Sequence, residues 1–278
     1  MAKNKARLDI LVVEYQLAST RAKAKGMILA GEVMVNGERV DKAGTAVSRE
    51  AKITVKNSLP YVGRGGLKLA GALSAFDFNV TDRICADVGA CTGGFTDVML
   101  QNGAARVYAI DVGYGQLDWR LRQDERVTVM ERTNARYVEA LNETITFAAI
   151  DVSFISLRLI LPAVKKWLDP SQQTDIVALI KPQFEAGRKQ VGKGGIVKDT
   201  AVHKQVLITI LDWATEAGLA PIGLIRSPVT GADGNVEFLV WLRPAGERSV
   251  GETAVEQLLQ HQQIIEDSHL SKKQEKKQ

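Results

Sequence analysis

After residue 60 the chain alternates short apolar segments with stretches of helical periodicity. Seven of the apolar segments have the length and composition of β-strands, at residues 83–88, 106–112, 127–130, 146–151, 175–181, 222–227 and 236–242. Strands that alternate with helices form a largely parallel sheet, because each parallel pairing needs a crossover connection that returns the chain to the same end of the sheet. The sequence therefore predicts an α/β fold for this part of the chain.

A glycine-rich turn follows the first predicted strand. The segment ADVGACTGGF places Asp87 at the end of the strand, Gly89, Gly93 and Gly94 in the turn, and the next helix from about Phe95. Glycines there let a ligand approach the backbone at the carboxyl end of a strand, where doubly wound sheets bind nucleotides. Three residues separate Gly89 from Gly93, so the dinucleotide pattern G-x-G-x-x-G is not met and NAD is disfavoured.

A second acidic residue, Asp111, ends the next predicted strand, 24 positions after Asp87. This spacing is close to the roughly 20 residues at which an acidic side chain binds ribose hydroxyls in such folds. Together with the glycine-rich turn, it fits a nucleoside that carries no pyrophosphate, such as S-adenosylmethionine. The competing interpretation is a tightly packed turn and a solvated Asp111.

Four charged residues occupy positions where an α/β domain ordinarily has apolar or simple loop residues. Lys68 follows GRGG on the helix before the first strand, Asp151 and Lys181 end the fourth and fifth strands, and Glu237 begins the last one. A lysine that is desolvated near a cofactor crevice can act as a base near neutral pH. A surface ion pair would explain any one of the four alone, but their joint occurrence favours catalysis.

The excess of positive charge lies at the N-terminus. Residues 1–56 contain 11 Lys and Arg against 6 Asp and Glu, whereas residues 57–250 contain 21 of each. The net charge of the whole chain is only +4. This asymmetry suggests a small module that binds nucleic acid or another polyanion, attached to an electrostatically balanced body.

The N-terminal segment has the pattern of a small α+β domain. Apolar spacing predicts a first helix over residues 7–18 and a second from Thr20 to about residue 30. Asn36-Gly37 predicts a β-hairpin because both residues tolerate a positive φ, and a further strand is predicted over 51–56. The cations on the helices form either a phosphate-binding cluster or a solvated helix face.

The stretch RLDILVVEYQLASTRAKAKGMILAGEVMVNGERV resembles the S4 RNA-binding domain over about fifty residues. The Arg7-Leu8-Asp9 opening, the Thr20-Arg21 start of the second helix and the turn at Asn36-Gly37 stand where that family has them. Thr20 replaces the more usual serine. The resemblance implies that structured RNA binds the helical face carrying Arg7, Arg21 and Lys25.

The order Lys68, Asp151, Lys181 and Glu237 resembles the tetrad of the FtsJ-like ribose 2′-O-methyltransferases. With the S4-like segment in front, residues 7–243 resemble the TlyA family, whose members are labelled haemolysins and are also identified as rRNA cytidine 2′-O-methyltransferases. The motifs that carry the resemblance are YVGRGGLKLAGAL, DVGACTGGFTDVML, VYAIDVGYGQLDWRLRQDERVTVMERTNAR, AAIDVSFISL, ALIKPQFEAGR and GADGNVEFLVWL. Cys91 departs from the pattern, since a serine is expected there.

The resemblance implies a Rossmann-like class I S-adenosylmethionine-dependent methyltransferase sheet behind a small α+β S4 domain. Its expected reaction is methyl transfer to the ribose 2′-hydroxyl of a cytidine in ribosomal RNA, with no metal. Lys181 is expected to be the base, with Asp151 orienting it near the sulfonium. Lys68 is expected to hold the hydroxyl or an adjacent phosphate, and Glu237 to fix the lysines.

The resemblance also implies two sets of binding residues. Cofactor contacts are expected from Asp87, Gly89, Cys91, Gly93, Gly94, Phe95, Asp111, Val112, Asn134 and Asp151. For Asn134 a helix cap is the competing role, since an asparagine after a strand is often one. RNA contacts are expected from Arg7, Arg21, Lys25 and Arg64, and the partner is ribosomal RNA or a ribosomal subunit.

These patterns divide the chain into an S4-like domain at 1–58, a linker at 59–62, a methyltransferase domain at 63–245 and a C-terminal helix with a charged tail at 246–278. The basic segment 185–199 is expected to be either a mobile flap that closes over RNA or a plain solvated loop.

We expect a cytoplasmic protein that does not act at membranes, because the sequence shows no secretory signal and no apolar run near 20 residues. Its two cysteines, Cys85 and Cys91, are too few for a disulfide framework. Two alternatives remain open: a membrane-active haemolysin, and a non-catalytic RNA-binding protein of ribosome assembly. The missing spanning segment argues against the first, and the intact tetrad argues against the second.

Overall fold

The structure, a computed structural model of the 278-residue chain, describes residues 4–18, 20–55, 60–169, 171–231, 233–244 and 246–260. The chain divides into two compact units, Met1–Pro60 and Tyr61–Gln278. The charged tail expected after residue 260 lies outside the described residues. Within them, none of the helices has the length and hydrophobicity needed to cross a bilayer.

The N-terminal unit packs two helices against two small sheets. Its elements are β1 (Lys5–Arg7), α1 (Leu8–Glu14), α2 (Arg21–Leu29), β2 (Val33–Val35), β3 (Glu38–Arg39), β4 (Ala46–Ser48) and β5 (Ile53–Val55). β1 pairs with β4, and the other sheet has the order β3-β2-β5. Buried apolar residues such as Leu8, Leu11 and Ile28 form one core under the helices.

The sequence predicted most of this unit. Thr20 caps α2 by accepting a hydrogen bond from the Lys23 backbone N–H, and the hairpin turns at Asn36 and Gly37, which both have positive φ. The first helix was predicted to reach residue 18, but it ends at Glu14, because the chain enters the left-handed region at Gln16, where φ is 58°. The β1–β4 pair was not predicted.

The second unit is built on a seven-stranded sheet flanked by helices. Its strands are β6 (Ile84–Val88), β7 (Arg106–Ile110), β8 (Val127–Met130), β9 (Phe147–Ile150), β10 (Asp175–Ile180), β11 (Leu219–Arg226) and β12 (Phe238–Pro244). The helices are α3 (Gly66–Ala75), α4 (Gly94–Gln101), α5 (Trp119–Arg122), α6 (Leu157–Trp167), α7 (Pro182–Glu185) and α8 (Thr200–Glu216), with 3₁₀ turns at Ala135–Tyr137 and Arg188–Gln190 and a final helical segment at 252–260.

The strand order is β11-β12-β10-β9-β6-β7-β8. The pairs from β10 to β8 are parallel, whereas β12 runs antiparallel to both β10 and β11. The expected α/β fold with a Rossmann-like sheet is confirmed. All seven predicted strands are present, with ends that differ from the predictions by up to three residues.

Both faces of this sheet are buried, which explains why its strands are nearly continuous apolar runs. In β10, Ile176, Ala178 and Ile180 face a core layer that includes residues of α6, α8 and the final helix, whereas Val177 and Leu179 face a layer that includes residues of α3 and α4. The alternation follows from the two-residue period of a strand. The sheet is therefore fixed from both sides.

At the amino end of β10 the sheet contains a buried charge. Asp175 is fully buried and accepts hydrogen bonds from Arg83 and Arg243 at 2.9 Å each and from the Trp241 indole N–H at 2.9 Å. Arg83 precedes β6, and the other two donors belong to β12. One carboxylate thus joins β10 to β12 and to the residue that precedes β6.

Replacing Asp175 by asparagine should destabilise the second unit strongly. The change removes the negative charge that compensates two guanidinium groups, and loss of one partner from a buried ion pair costs about 3 kcal/mol or more. Urea denaturation followed by circular dichroism measures the effect. As a control, Asp212→Asn removes the more exposed pair with Arg248 and should cost less than about 1 kcal/mol. Equal effects of the two changes would contradict the structural role of Asp175.

Candidate active site and cofactor cavity

The sheet brings the predicted charged residues together at one edge. Asp111, Asp151 and Lys181 each follow the carboxyl end of a parallel strand, and such ends meet at the same edge of a sheet. Glu237 reaches this edge from the opposite direction, because it directly precedes the antiparallel strand β12. The register pairs Ile180 with Phe238, which makes Lys181 and Glu237 neighbours across the ladder.

Lys68 completes the group from helix α3. Its Nζ lies 2.6 Å from Glu237 Oε2 and 3.6 Å from Asp151 Oδ2, and Asp151 Oδ1 lies 2.6 Å from Lys181 Nζ. The four side chains form a chain of alternating charge, Glu237–Lys68–Asp151–Lys181, with side-chain exposures of 3%, 10%, 19% and 9%. We call this chain the charged tetrad. All four residues singled out from the sequence belong to it.

Lys181 has a further contact that sequence reasoning missed. Its Nζ donates a hydrogen bond to Ser153 Oγ at 2.8 Å. Ser153 is an exposed residue in the turn after β9. An exposed serine in a turn gives no sequence signal of its own, since turn serines are common.

Three contacts close to Ser153 join the turn after β9 and the start of helix α6 to helix α7, which follows Lys181. The rings of Phe154 and Phe184 lie 4.9 Å apart between centroids. Glu185 accepts hydrogen bonds from Ser156 Oγ at 2.6 Å and from the Leu157 backbone N–H at 2.7 Å, and it thereby caps helix α6. Burial raises the pKa of the Glu185 carboxyl, while its hydrogen bonds oppose that rise. The segments carrying Asp151 and Lys181 are therefore held together at several points.

A cavity of about 520 Å³ opens beside the tetrad. Its volume is in the range of small-molecule sites. Six predicted cofactor residues line it, namely Gly89, Cys91, Asp111, Val112, Asn134 and Asp151, and Ser153 lines it as well. The lining residues of the described chain include two carboxylates and no lysine or arginine.

Gly89 lies against the backbone of Asp151, a residue of the tetrad. Its φ is +90°, and a Cβ atom there would lie 2.4 Å from the Asp151 carbonyl oxygen. A side chain would therefore collide with the backbone that carries Asp151.

The two other turn glycines contact protein. A Cβ on Gly93 would lie 2.2 Å from the Leu121 side chain, and one on Gly94 would lie 2.8 Å from the Gly66 backbone nitrogen. Phe95 is buried in the core layer that contains residues of α4. Gly93, Gly94 and Phe95 are not among the described residues that line the cavity. They shape the turn by packing against other parts of the protein.

Backbone groups hold Asp111 in place. Its Oδ2 accepts a hydrogen bond from the Cys91 N–H at 2.8 Å, and its Oδ1 accepts one from the Gly113 N–H at 2.6 Å. Asn134 lines the cavity and also caps the turn at Ala135–Tyr137, since its Oδ1 accepts a hydrogen bond from the Arg136 N–H. Both sequence-based interpretations of Asn134 are therefore compatible with its position.

Cys91 has no activated thiol. Its Sγ lies 3.3 Å from Gln116 Oε1, and partial burial, reinforced by the nearby carboxylates, raises the pKa of the thiol. A raised pKa disfavours the thiolate, which is the reactive form. Cys91 therefore contributes to the shape of the cavity.

Asp87 lies beneath the glycine-rich turn and is fully buried. Its Oδ2 accepts hydrogen bonds from both the N–H and the hydroxyl of Thr96, at 2.8 and 2.7 Å, while its Oδ1 has no partner among the described residues. Burial raises the pKa of the Asp87 carboxyl from 3.8 to about 7, against the hydrogen bonds that lower it. Asp87 itself is not part of the described lining.

In the N-terminal unit, a buried carboxylate organises the two predicted RNA-binding arginines. Asp9 is fully buried and accepts hydrogen bonds from Arg7 Nε at 3.0 Å and Arg21 Nε at 2.9 Å. Chiefly through the hydrogen bond from Arg7, the pKa of Asp9 is lowered to about 2.

The two other predicted RNA contacts are also exposed. Lys25 lies on α2, and Arg64 of the second unit donates a hydrogen bond to the Thr230 carbonyl.

The basic segment 185–199 is anchored near its end. Val197 is buried, and its backbone N–H donates a hydrogen bond to the side chain of the buried Asn235 at 3.0 Å. Asn235 in turn donates to the Gly195 carbonyl at 3.0 Å. The cations Arg188, Lys189, Lys193 and Lys198 are exposed.

Comparison with known proteins matches both units to families. Residues 61–244 match the FtsJ-like methyltransferase model, and residues 6–53 match the S4 domain. The chain is 51% identical to YqxC of Bacillus subtilis over 99% of this chain and 98% of that protein. It is 44% identical to the 16S/23S rRNA (cytidine-2′-O)-methyltransferase TlyA of Mycobacterium tuberculosis, over 94% of this chain and 98% of that one.

A solved structure from Streptococcus thermophilus that carries a hemolysin label is also similar. It superposes with a TM-score of 0.73 and 45% identity, over 96% of this chain and 99% of that chain. The similarity therefore extends over both units.

Replacing Asp87 by asparagine should stabilise the fold at alkaline pH. Because folding raises the pKa of Asp87 from 3.8 to about 7, the free energy of unfolding falls as the pH rises between these values and stays low above them. A neutral asparagine removes this loss, and its carbonyl oxygen can still accept both hydrogen bonds from Thr96.

Thermal unfolding of both proteins at several pH values measures this effect. The variant should have the higher melting temperature at pH 8, and its advantage should shrink towards pH 4. The exposed-pair control Asp212→Asn should show no such pH-dependent gain. A variant that melts below the wild type at pH 8 would contradict the charge state assigned to Asp87.

Proposed function

Since the chain belongs to the FtsJ-like methyltransferase family and carries an S4 domain in front, we propose that it transfers the methyl group of S-adenosylmethionine to the ribose 2′-hydroxyl of a cytidine in ribosomal RNA. The observation that carries the proposal is the contact of Lys181 with Asp151, at 2.6 Å, since Asp151 lines the cavity. The TlyA protein of M. tuberculosis, named for this reaction, supports the substrate. Such a substrate places the reaction in the cytoplasm.

The cavity fits S-adenosylmethionine by its charge. A bound phosphate or pyrophosphate would need cations or a row of free backbone N–H groups, but the described lining has no lysine or arginine. A sulfonium is positive, and the carboxylates of Asp111 and Asp151 suit a cation. When bound, S-adenosylmethionine supplies a methyl group that is already activated for transfer.

The protein then has to orient the ribose and remove a proton from its hydroxyl. In the proposed reaction, Lys181 gives up a proton from its ion pair to water, and its neutral Nζ then takes the proton of the 2′-hydroxyl. The positive charge that develops on Nζ is stabilised by Asp151, 2.6 Å away, in a site from which water is largely excluded.

Lys68 and Glu237 have a different role in this reaction. Glu237 is 2.6 Å from Lys68 Nζ and is almost fully buried, so it fixes Lys68 beside Asp151. Lys68 then offers a positive charge to the ribose hydroxyl oxygen or to the adjacent phosphate. Loss of Glu237 would leave Lys68 with one carboxylate contact instead of two.

RNA would be recruited by the S4 unit. Asp9 binds the Nε atom of Arg21, which leaves the terminal nitrogens of this half-exposed guanidinium available for a phosphate. By contrast, Arg49 uses both terminal nitrogens in a pair with Glu14. The two arginines therefore differ in what they can offer to RNA.

Lys181→Arg tests the proposed base. Arginine keeps the positive charge but cannot release a proton at accessible pH, so the rate of methyl transfer should fall by about 100-fold or more. Formation of S-adenosylhomocysteine with ribosomal RNA as substrate gives the rate, and mapping of 2′-O-methylated cytidines gives the position. Lys204→Arg, in a surface pair with Glu252 and Glu256, should retain the wild-type rate.

Three outcomes decide between the proposal and its competitors. A wild-type rate for Lys181→Arg would contradict the base. A wild-type protein that binds ribosomal RNA but transfers no methyl group would favour a non-catalytic role in ribosome assembly. Leakage of RNA-free liposomes caused by the purified protein would support the membrane-active alternative.

Arg21→Ala tests the RNA surface. The change should weaken binding to ribosomal RNA several-fold and lower the salt dependence by about one phosphate contact. Arg49→Ala is the matched control within the same unit, and its affinity should change less than twofold, a difference of under about 0.4 kcal/mol. Filter binding at several salt concentrations measures both, with circular dichroism to verify folding. Equal losses in the two variants would contradict the assigned surface.

A further inference from the structure

The contact between Ser153 and Lys181 has features that a simple turn residue does not need. Ser153 Oγ is 2.8 Å from Lys181 Nζ, and Ser153 also lines the cavity and is exposed. It therefore connects the buried tetrad to the outside. Of the described residues that contact Lys181 Nζ at hydrogen-bond distance, Asp151 is charged and Ser153 is neutral.

The two lysines of the tetrad differ in the groups that contact their Nζ atoms. Lys68 contacts two carboxylates, Glu237 and Asp151, and such surroundings hold a positive charge in place. Lys181 contacts one carboxylate and one hydroxyl. A hydroxyl can accept a hydrogen bond and donate another at the same time, so it can pass a proton onward, which a carboxylate paired with two lysines does less readily.

The residues that follow Ser153 are held against helix α7. Phe154 has a φ of 64°, in the left-handed region that a bulky residue rarely adopts, and its ring packs against Phe184. Three residues after Ser153, the hydrogen bonds from Ser156 and Leu157 to Glu185 tie the turn to helix α7. The surroundings that hold the unusual backbone also hold the hydroxyl beside Nζ.

We propose that Ser153 is a further catalytic residue. It directs the lone pair of neutral Lys181 Nζ towards the ribose hydroxyl and relays the abstracted proton to water. The inference rests on the proposed function. An ammonium group has three N–H bonds. Ser153 Oγ accepts one of them, and Asp151 Oδ1 forms an ion pair with Nζ at 2.6 Å. The third direction on Nζ is left for the proton of the ribose hydroxyl.

The bonds balance without a redox partner. The ribose O–H bond breaks as an N–H bond forms on Lys181, and the C–S bond of the sulfonium breaks as the new C–O bond forms. Next, an N–H bond of the ammonium breaks as Ser153 Oγ gains a proton, while Oγ releases its own proton to water. Lys181 returns to its neutral form for the next turnover.

Ser153→Ala tests the inference, with methyl transfer to ribosomal RNA measured across pH both in a single turnover, which reports on the direction of Nζ, and in the steady state, which also reports on the relay. A hydrogen bond to a charged group is worth about 1.5 kcal/mol, so the rate should fall roughly tenfold. Because the ammonium loses an acceptor, the acidic limb of the pH–rate profile should move to lower pH by up to about one unit.

Two variants separate catalysis from structure. Ser153→Thr retains a hydroxyl and should restore most of the rate and the pH profile. Ser156→Ala alters the same turn, but its hydroxyl bonds to Glu185, so this variant should lower the melting temperature and leave the pH profile in place. Loss of rate in Ser153→Thr equal to that in Ser153→Ala would overturn the relay.

The failure of this inference is distinguishable from failure of the proposed function. If Lys181→Arg retains the wild-type rate, the proposed base is wrong and the relay falls with it. If the rate depends on Lys181 but Ser153→Ala matches the wild type in rate and pH profile, the relay alone is overturned.

Discussion

The charged tetrad is the constraint on which the second unit depends. Removing a charge from water costs several kcal/mol, and in this site four charges are largely buried within a few ångströms. The cost is offset only when Glu237, Lys68, Asp151 and Lys181 alternate in sign and contact one another. Lys68 comes from helix α3, Asp151 and Lys181 directly follow the parallel strands β9 and β10, and Glu237 directly precedes the antiparallel strand β12. A parallel β12 would begin at the opposite edge and carry Glu237 away from Lys68, so the reversed strand is an electrostatic requirement as well as a topological one.

The same strands carry charges at both edges of the sheet. β10 begins with the buried Asp175 and is followed by Lys181, while β12 follows Glu237 and contains the donors Trp241 and Arg243. A shift of one residue in the β10–β12 register would therefore disturb both edges at once. This coupling gives a physical reason for the precise placement of Lys181 and Glu237, because these residues flank β10 and β12, whose opposite ends carry Asp175 and its donors. A site built on such elements is more precisely positioned than one on a free loop.

Features that follow from the periodicity of apolar residues could be predicted from the sequence. The positions of Asp151 and Lys181 are examples, because they follow from where apolar strands end. The sequence did not predict what depends on tertiary contacts. The glycines at 93 and 94 correctly predicted that another group lies close to the backbone of the turn. A glycine does not show whether that group is ligand or protein, and at both positions it is protein. The strands β1 and β4 have three residues each and no clear alternation, so they gave no signal. Ser153 and Glu185 acquire their roles only once the turn after β9 lies against helix α7.

The two ligands that the proposed reaction requires have opposite charges and therefore need different surfaces. The cofactor is a cation and the RNA is a polyanion, so a single surface cannot attract both. The described residues that line the cavity include two carboxylates and no lysine or arginine. The half-exposed arginines Arg7 and Arg21, by contrast, lie in the N-terminal unit. The lysines of the tetrad do not break this separation, because each contacts a carboxylate within 2.6 Å, which reduces its field at the cavity. At the site two lysines and two carboxylates balance each other, and this pairing would allow lysine chemistry beside a sulfonium without repelling it.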